Sequence, residues 1–476
     1  MSGGPRRRQL LAAACAWVGA PQGVYAQAPA FAAADLEAAA QLRDQALRDG
    51  EAWRLVESLT TEVGARPAGS AADARARDWA LAQFARLNLA EARAEPLPLR
   101  VWRRGPSGAR LVAPAEQPLV VAALGNSVGT PAGGVRAEVA WYADYAALRA
   151  DPVEGSRARG RIVYVDQAME RTRDGRGYGA AVGMRLGGAS EAARRGAVAY
   201  AMRSLGTSRN RIAHTGAMQY DLAQPRIPAI ALSVPDADLL ARLHARGTAP
   251  VMHVEVAAAE NVDATTHNLI AEVPGTDLAR EIVLIGAHLD SWDVGQGALD
   301  DGAGVAIVTA AAASIRAAGL RPRRTVRVVL FGNEENGFDG ARAYADRYRD
   351  APHQLVGESD FGAGRVWRLR GRWAAAAQPL LAPMAAVLAP LGVALPETGA
   401  HEGNPGPDAG VLMRRHRWPG IELSQDGSAY FDVHHTENDT LDKVDPAALA
   451  QNAACWAAMA WLAAQSPVPF GPLPPA

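Results

Sequence analysis

The sequence has only two cysteines, Cys15 and Cys455, among its 476 residues. Two thiols cannot build a disulfide framework or a cysteine-based zinc ribbon, so any metal must be held by His, Asp and Glu. An excess of charge of either sign is also missing, because 49 Lys and Arg balance 50 Asp and Glu and give a net charge of −1. This balance offers no electrostatic basis for binding nucleic acid or an anionic membrane, and neither is expected as a partner.

Beyond the N-terminus the chain also lacks a long uninterrupted hydrophobic run. The most apolar stretch, from Ala374 to Leu395, is broken by Pro379, Pro383 and Pro390, whereas a membrane-spanning helix needs about 20 apolar residues. No membrane span is therefore expected. Hydrophobic residues make up 49% of the chain and charged residues 21%, which is typical of a globular protein with a large core.

The N-terminus has the features of a targeting segment. Arg6 to Arg8 precede an apolar stretch from Leu10 to Ala20, and the small residues Val24 and Ala26 occupy the −3 and −1 positions of a cleavage site. This order predicts that residues 1–26 are a secretory signal peptide. The Arg pair at positions 7 and 8 also resembles a twin-arginine signal. We therefore expect an exported protein, periplasmic or secreted, with the twin-arginine route as one option.

The pattern of apolar residues changes along the chain. After Asn268 a strand-like run at Glu281–Gly286, a helical run at Gly302–Ala318 and a second strand-like run at Thr325–Phe331 alternate, which predicts an α/β fold with a doubly wound, mostly parallel sheet. Between about Gly125 and Ala259 short strand-like runs predominate. We therefore predict one domain in two segments, residues 27–124 and 263–476, interrupted by an inserted β-rich module of residues 125–262.

Shorter patterns predict further elements. Phe31 to Leu59 has a helical pattern, Gly64 to Gly69 forms a turn, and Ser70 can cap the helix that follows. The remaining predicted elements are a strand near Ala94–Trp102, strands at Val135–Tyr142, Gly160–Val165 and Pro228–Ser233, and helices at Ser190–Arg195 and Asp236–Ala245.

Polar residues concentrate where the predicted parallel strands end, which is where open α/β sheets bind ligands. His288 and Asp290 follow the first strand, the pair Asp300-Asp301 opens the helix, and the pair Glu334-Glu335 follows the second strand. A single histidine or a paired Asp at a helix start has an ordinary structural explanation, but adjacent glutamates after a buried strand repel each other unless a cation is present. One glutamate can then bind metal while its neighbour acts as general base.

These residues match a known family. The run from His288 to Gly302, together with Asn333-Glu334-Glu335, resembles the zinc exopeptidases that include bacterial leucyl aminopeptidases and glutamate carboxypeptidase, most closely the plasma glutamate carboxypeptidase (carboxypeptidase Q) branch. The resemblance implies an α/β/α sandwich that binds two zinc ions per chain. It also implies these roles: His288 and Asp360 as ligands of one zinc, Glu335 and His435 as ligands of the other, Asp300 as the bridge, Glu334 as general base, Asp290 as the acid that orients His288, and a cis peptide between Asp300 and Asp301.

The more distant positions rest on weaker matches. Asp360 follows Glu335 at roughly the interval of the family, and His435 fits the family pattern better than its neighbour His434. The resemblance also includes Asp408, for which a helix-capping role is expected. His401 and Tyr430 can either line a substrate pocket or only pack against neighbouring residues, and the sequence does not choose between these two roles.

The inserted module has its own resemblance. The run Gly188–Ala199, taken with Ile227–Leu232, resembles a protease-associated domain, and the triplet His214-Thr215-Gly216 recurs in the same branch. The family architecture implies that this module covers the active-site cleft and restricts the entry of long chains.

The implied function is the hydrolysis of dipeptides or short peptides, with a water shared by two zinc ions as nucleophile and Glu334 as base. Two alternatives stay open: a glutaminyl-cyclase-like acyl transferase and a non-catalytic receptor-like binding protein. The sequence does not choose between aminopeptidase, carboxypeptidase and dipeptidase, and it does not establish a homodimer. His and carboxylate ligands also accept cobalt or manganese.

Overall fold

The computed structural model describes residue 1 and residues 30–473, so the predicted signal peptide falls almost entirely outside the described residues and stays a prediction. The strands are β1 (Ala90–Ala113), β2 (Gln117–Leu119), β3 (Val121–Ala123), β4 (Val135–Tyr142), β5 (Ile162–Val165), β6 (Ala199–Arg203), β7 (Ala229–Leu232), β8 (Val251–Val273), β9 (Leu278–His288), β10 (Arg324–Phe331), β11 (His353–Glu358), β12 (Val366–Arg372) and β13 (Gly420–Gln425). The α-helices are α1 (Ala33–Asp49), α2 (Glu51–Glu62), α3 (Ala71–Arg86), α4 (Tyr145–Ala150), α5 (Arg176–Ala181), α6 (Gly183–Arg194), α7 (Val234–Ala245), α8 (Ala303–Ala317), α9 (Glu334–Gly337), α10 (Asp339–Arg347), α11 (Leu381–Leu388), α12 (Pro407–His416) and α13 (Pro446–Gln465).

The main sheet has the strand order β12-β13-β11-β9-β10-β8. Its four middle strands are parallel, while β12 and β8 are antiparallel to their neighbours. Successive side chains of a strand point to opposite faces, and on β9 Val283 packs in the same cluster as α8 and α13 whereas Leu284 packs with α10 and α12. Helices therefore cover both faces, and the prediction of a mixed α/β sheet fold is confirmed.

A second sheet, here called the accessory sheet, has the order β4-β5-β6-β7-β3. Its first four strands are parallel, and parallel strands need long crossover connections. Helices α4, α5 and α6 provide such crossovers, and α7 follows β7. This part of the chain is a mixture of strands and helices, and α6 and α7 contain or overlap the two helical stretches predicted within it.

Two long strands connect the sheets. Strand β8 pairs with β4 near Val251 and with β10 near Val273, and β1 runs antiparallel to β8 along most of its length. The predicted boundary at residue 262 lies inside β8, where the chain continues as a single strand. A ribbon of two long strands therefore joins the accessory sheet to the main sheet.

Most locally predicted elements are present, with shifts at their ends. The helix expected from Phe31 to Leu59 is divided into α1 and α2 at Gly50, whose φ of 68° suits glycine and ends the first helix. Ser70 caps α3 as predicted, its hydroxyl accepting from the backbone N–H of Asp73 at 3.1 Å. The strand predicted near Ala94–Trp102 is part of the longer β1.

Two apolar segments are core helices. The stretch Ala298–Ala317 is long and apolar enough by composition to cross a membrane, but its apolar window is entirely buried inside the protein. The stretch that holds the three prolines forms α11 with short 3₁₀ turns on both sides, at Ala375–Leu380 and Ala389–Leu391.

Candidate metal centre

The candidate site lies at the carboxyl ends of the middle strands of the main sheet. His288 is the last residue of β9, Glu334 and Glu335 open α9 directly after β10, and Asp360 follows β11 by two residues. Because these strands are parallel neighbours, their ends place the side chains at one edge of the sheet. Asp300 reaches the same point from the segment Ala298–Gly302 that leads into α8.

The first group of possible ligands contains His288, Asp300 and Asp360. The Nε2 atom of His288 lies 3.2 Å from Oδ1 of Asp300 and 3.5 Å from Oδ1 of Asp360. Ligand atoms of all three residues are close enough together to hold one metal ion. The structure therefore brings together the residues assigned to the first zinc.

The second group contains Asp300, Glu335 and His435. The Nε2 atom of His435 lies 3.2 Å from Oδ2 of Asp300 and 3.2 Å from Oε2 of Glu335. His435 follows the short helix Tyr430–Asp432 and has a φ of 61°. The two groups thus share Asp300 through different carboxylate oxygens, which is the arrangement expected of a bridging ligand.

The neighbouring His434 is also close to Asp300. Its Nε2 atom lies 3.6 Å from Oδ2 of Asp300, and its ring stacks on that of His435 with centroids 3.5 Å apart. Asp300, His434 and His435 also have spacing that could hold a metal. His435 contacts both Asp300 and Glu335, so the geometry favours it as the ligand.

Asp290 supports the site in a different way from the one expected. The Nδ1 atom of His288 lies 2.9 Å from the backbone oxygen of Asp290 but 3.8 Å from its carboxylate Oδ1. The carboxylate instead accepts from the backbone N–H of Glu334 at 3.1 Å. Asp290 therefore orients His288 chiefly through its main chain and fixes the start of α9 through its side chain.

The segment that carries Asp300 is held by residues that the sequence analysis did not assign. The carboxylate of Asp439 accepts from the backbone N–H groups of Leu299 and Asp300, at 2.7 and 3.1 Å. Asp439 lies four residues after His435 in the sequence, and this closeness to a predicted ligand was the available signal. Arg66, which is fully buried, donates to three backbone oxygens around the same segment, those of Leu289, Gln296 and Gly297.

The peptide between Asp300 and Asp301 is cis, as the resemblance implied. The carboxylate of Asp301 turns away from the ligand groups and accepts from the backbone N–H groups of His288 and Gly304, at 3.1 and 3.0 Å. It therefore links the end of β9 to the start of α8.

The donor set suits zinc. Within the described ranges several buried carboxylate oxygens have no hydrogen-bond partner, among them Oδ2 of Asp290, Oδ2 of Asp300 and Oε1 of Glu335. Buried oxygens normally have partners, and nitrogen and oxygen ligands at this spacing are those that zinc takes. The residues present therefore fit a metal site.

The pKa values of the clustered residues also indicate a cation site. Burial raises the pKa of Glu335 to about 7, and the nearby Asp300 adds to this effect. Burial opposes protonation of His435, but the contacts with Glu335 and Asp300 outweigh it and raise its pKa to about 9. For Asp300 the close contacts with His288 and His435 outweigh burial and hold its pKa well below the usual value. The negative charge of the clustered carboxylates is thus compensated by protons on Glu335 and His435. Divalent cations would neutralise the same charge.

The accessory sheet contributes to the second group. In the triplet His214-Thr215-Gly216, the carbonyl of Thr215 lies 3.2 Å from Nδ1 of His435, and the backbone N–H of Thr215 donates to the carbonyl of His435 at 3.0 Å. The ring of His214 contacts the carbonyl of His434 at 2.7 Å. The triplet therefore orients the histidine segment, a role that the sequence did not indicate.

A cavity of about 740 Å³ opens over both groups and is lined by residues of the main and accessory sheets. Tyr430 is one of the lining residues, whereas His401 is exposed and stands apart from them. Asp408 is buried but does not cap α12 as expected, because the carboxylate of Glu358 accepts from the N–H of Ala409 at 3.0 Å instead. Glu358 at the end of β11 already occupies the capping position.

Comparison with known proteins shows the family of the chain. The family description "Peptidase family M28" matches residues 268–460. Carboxypeptidase Q of Mus musculus is 35% identical over 365 residues, which cover 76% of this chain and 75% of that one. Carboxypeptidase Q of Bos taurus is 33% identical over 408 residues, covering 85% and 84%. The chain belongs to peptidase family M28. The predicted family and the prediction of a metallo-exopeptidase are thereby confirmed.

This M28 peptidase also resembles solved structures in its fold. A peptidase M28 precursor from Shewanella amazonensis SB2B superposes with a TM-score of 0.89 at 44% identity, covering 93% of this chain and 99% of that one. An aminopeptidase from Aneurinibacillus sp. strain AM-1 has a TM-score of 0.60 at 21% identity, covering 92% and 98%. The second likeness shows that the fold is shared.

Proposed function

We propose that this chain is a dinuclear zinc exopeptidase that hydrolyses dipeptides or short peptides. The observation that carries the proposal is the pair of ligand groups that share Asp300 through its two oxygens, next to the glutamate Glu334 on the wall of one cavity. The name of the relatives, carboxypeptidase Q, supports the same reaction class, and the set of His, Asp and Glu donors suits zinc.

The ligands follow from the two groups. His288 and Asp360 would hold one zinc ion, Glu335 and His435 the other, and Asp300 both. Bound at this site, zinc would supply a Lewis acid for the peptide carbonyl and lower the pKa of a water molecule. Asp290, Asp439 and Thr215 keep the ligands in place through the hydrogen bonds described above.

Glu334 is the residue proposed to move the proton. It precedes the ligand Glu335, lines the cavity, and its backbone is fixed by the carboxylate of Asp290. Burial, reinforced by the carboxylates of Asp360 and Glu335, raises its pKa well above the usual value despite the opposing charge of His288. A carboxylate of raised basicity can take a proton from the attacking water and pass it to the leaving amine.

The size of the substrate follows from the way the cavity is covered. We assign residues 125–262 as the protease-associated module expected from the sequence, and Tyr178 and Arg185 of this part line the cavity opposite Asp300. A site covered in this way accepts a chain end more readily than the middle of a folded protein. Efficient cleavage of a folded protein at internal bonds would contradict this restriction.

The test is the variant Glu334→Gln, assayed on dipeptides with free and blocked termini. We expect it to keep the zinc content of the wild type and to lose roughly 10²–10⁴-fold in kcat, the usual contribution of a general base. The matched control is Glu397→Gln, an exposed glutamate outside the cavity lining, which should keep full activity. Unchanged turnover in Glu334→Gln would remove this residue as the base, and purified wild type without stoichiometric metal would contradict the whole proposal.

A further inference from the structure

The chain leaves the accessory sheet between β5 and α5 in a segment without regular secondary structure. This segment, residues 166–175, is here called the strap. Its first residues are tied to the accessory sheet and its helices: the carboxylate of Asp166 accepts from Nε of Arg203 at 2.9 Å, and the side chain of Gln167 accepts from the backbone N–H of Tyr145 at 3.1 Å. The strap therefore begins as part of the accessory structure.

The middle of the strap is attached instead to the segment that follows β13 of the main sheet. Two nitrogens of Arg171 donate to the two carboxylate oxygens of Asp432, at 3.0 and 2.5 Å. The Nε atom of Arg173 donates to Oδ2 of Asp426 at 2.8 Å, and the carbonyl of Arg173 accepts from the backbone N–H of Gly427 at 2.9 Å. Two ion pairs and a backbone hydrogen bond therefore tether the strap across the boundary between the two sheets.

The strap closes one end of the cavity over the ligand groups. Asp174 of the strap is a lining residue, and so is Phe361, which directly follows the proposed ligand Asp360. A Cβ atom at Gly175 would lie 2.7 Å from Cζ of Phe361, and a Cβ atom at Gly427 would lie 2.2 Å from its Cε1. The strap and the segment after β13 therefore meet around the ring of Phe361.

The cavity wall beside the strap is aromatic. Phe361, Tyr430 and Phe431 line the cavity there, with ring centroids 5.1 to 5.7 Å apart. Tyr178, in the helix that follows the strap, stacks on Phe431 with centroids 5.0 Å apart. A surface of this kind favours an apolar side chain of the substrate.

The position of the strap limits how far a peptide can extend past the ligand groups. The side chain of Phe361 separates the strap from the main chain next to Asp360. Consecutive Cα atoms of a peptide are about 3.8 Å apart, and a phenylalanine side chain spans less than two such steps. A peptide whose scissile bond lies at the ligand groups therefore meets the strap after about one or two residues.

We propose that the strap stops the substrate, so that the enzyme releases only one or two residues from a chain end, and that Arg171 and Arg173 are the positioning residues that hold it in place. This inference rests on the proposed function and deepens it by naming the segment that limits the released fragment. The side chains of Arg171 and Arg173 are 45% and 50% exposed. Exposed ion pairs are weak and are screened by salt, so removing them allows the strap to open.

The first test maps the bond that is cut first in the hexapeptide Ala-Leu-Phe-Ala-Leu-Phe, whose central cleavage yields two copies of one tripeptide. At low conversion the wild type should release one or two residues and almost no tripeptide. The variant Arg171→Met/Arg173→Met should raise the tripeptide share on the order of 10-fold, the combined strength of two exposed ion pairs. It should keep kcat/KM for alanyl-leucine, because a dipeptide does not reach the strap.

The matched control removes two exposed arginines that pair with carboxylates inside the accessory structure. Arg161 and Arg194 have side chains 43% and 47% exposed and lie 3.0 and 3.8 Å from carboxylate oxygens of Glu138 and Glu191. Arg161→Met/Arg194→Met should cut the hexapeptide as the wild type does. An unchanged cutting pattern in the strap variant, or wild type that cuts the central bond freely, would overturn the inference.

The second test asks whether one of the ion pairs acts as a tether. Arg173→Met and Asp426→Asn should each raise the tripeptide share, and the two changes together should raise it no further than either alone, because both remove the same contact. Added salt should raise the share in the wild type much more than in Arg171→Met/Arg173→Met. Fully additive gains, or no response of the wild type to salt, would overturn the tether.

Hydrogen exchange separates this inference from the proposed function. The backbone amides of residues 166–175 should exchange faster in Arg171→Met/Arg173→Met than in the wild type, with or without peptide hydrolysis. Unchanged exchange, or faster exchange without the tripeptide product, would overturn only the role of the strap. Wild type that hydrolyses neither alanyl-leucine nor the hexapeptide would contradict the proposed function. If the double variant does not fold, the salt response of the wild type decides.

Discussion

Asp300 connects the two halves of the candidate metal centre. Its oxygens face different histidines, Oδ1 towards His288 and Oδ2 towards His435, each at 3.2 Å. A carboxylate that binds two metal ions must be held within about 0.5 Å of its working position. The backbone N–H of Asp300 donates to the carboxylate of Asp439, which holds Asp300 in place. The position of Asp300 therefore depends on Asp439, which is not itself a proposed zinc ligand.

The residue-scale prediction concerns Asp439→Asn. The amide replaces one of two acceptor oxygens by a donor, so one of the N–H groups of Leu299 and Asp300 loses its partner. Loss of such a supporting hydrogen bond typically lowers metal affinity by roughly 10–100-fold, which competition with a chelator would measure. The control is Asp442→Asn, an exposed neighbour. Wild-type affinity in Asp439→Asn would show that Asp300 needs no such support.

Helix α8 and the end of β11 approach each other unusually closely beside the site. A Cβ atom at Gly304 would lie 1.9 Å from the carbonyl oxygen of Ser359 and 2.2 Å from Oδ1 of Asp301. Both contacts involve groups that cannot simply swing away, one being backbone and the other a carboxylate bound to His288 and Gly304. The glycine is therefore required for the helix to bring Asp300 up to the ends of the strands.

The element-scale prediction compares two glycine substitutions in helices. Gly304→Ala should lower the free energy of unfolding by about 1–3 kcal/mol, the usual effect of overpacking a buried site. Gly179→Ala in α5 meets no atom within 4 Å and should be neutral or stabilising by up to about 1 kcal/mol. Urea unfolding of both variants gives the values. Equal stability of the two would mean that α8 can shift without cost.

Sequence pattern predicted the middle of the main sheet better than its connections. Strands β9 and β10 are buried on both faces, so they read as continuous apolar runs. The ribbon of β1 and β8 was largely missed, because most residues of β1 alternate between exposed and half-buried without a continuous apolar face. Its length of 24 residues comes from pairing with a partner far along the chain, which local composition does not show.

At the scale of the whole molecule, the accessory sheet completes the site as well as covering it. Thr215 contacts the backbone of His435 and the Nδ1 atom of its ring, and Arg185 lies 3.4 Å from the same Nδ1 atom. The ring also lies near Trp292 of the main sheet, with centroids 5.6 Å apart. The second ligand group therefore depends on the docking of the two sheets, and disturbing that docking should impair metal binding.

The whole-molecule prediction concerns pH and metal removal. Without metal, the pKa of His435 is raised from 6.5 to about 9 in the folded protein, so its stabilising contribution is full below pH 6.5 and is lost as the pH rises through 9. The pKa of Glu335, raised from 4.5 to about 7, has an effect of the same sign, but most of its contribution is lost between pH 4.5 and pH 7. We expect chelator-treated protein to lose about 2 kcal/mol of unfolding free energy between pH 7 and 9.

Zinc-loaded protein is the control for this measurement, because ligands bound to zinc no longer take up those protons. Its stability should change much less over the same pH range, so the gap in Tm between loaded and chelated protein should widen from pH 7 to pH 9. A gap that stays constant would mean that His435 and Glu335 do not titrate as the structure implies.

The sequence by itself determined the strands that carry the site and the residue types at their ends, because buried strands and adjacent carboxylates leave local signatures. It placed His288 and Glu335 after successive predicted strands and Asp300 at the start of the helix between them, and through the family resemblance it named Asp360 and His435. Only the tertiary structure decided which hydrogen-bonding groups hold those residues in place. The supporting contacts of Asp439 and Thr215 join residues 139 and 220 positions apart in the sequence, and such contacts exist only once the chain has folded.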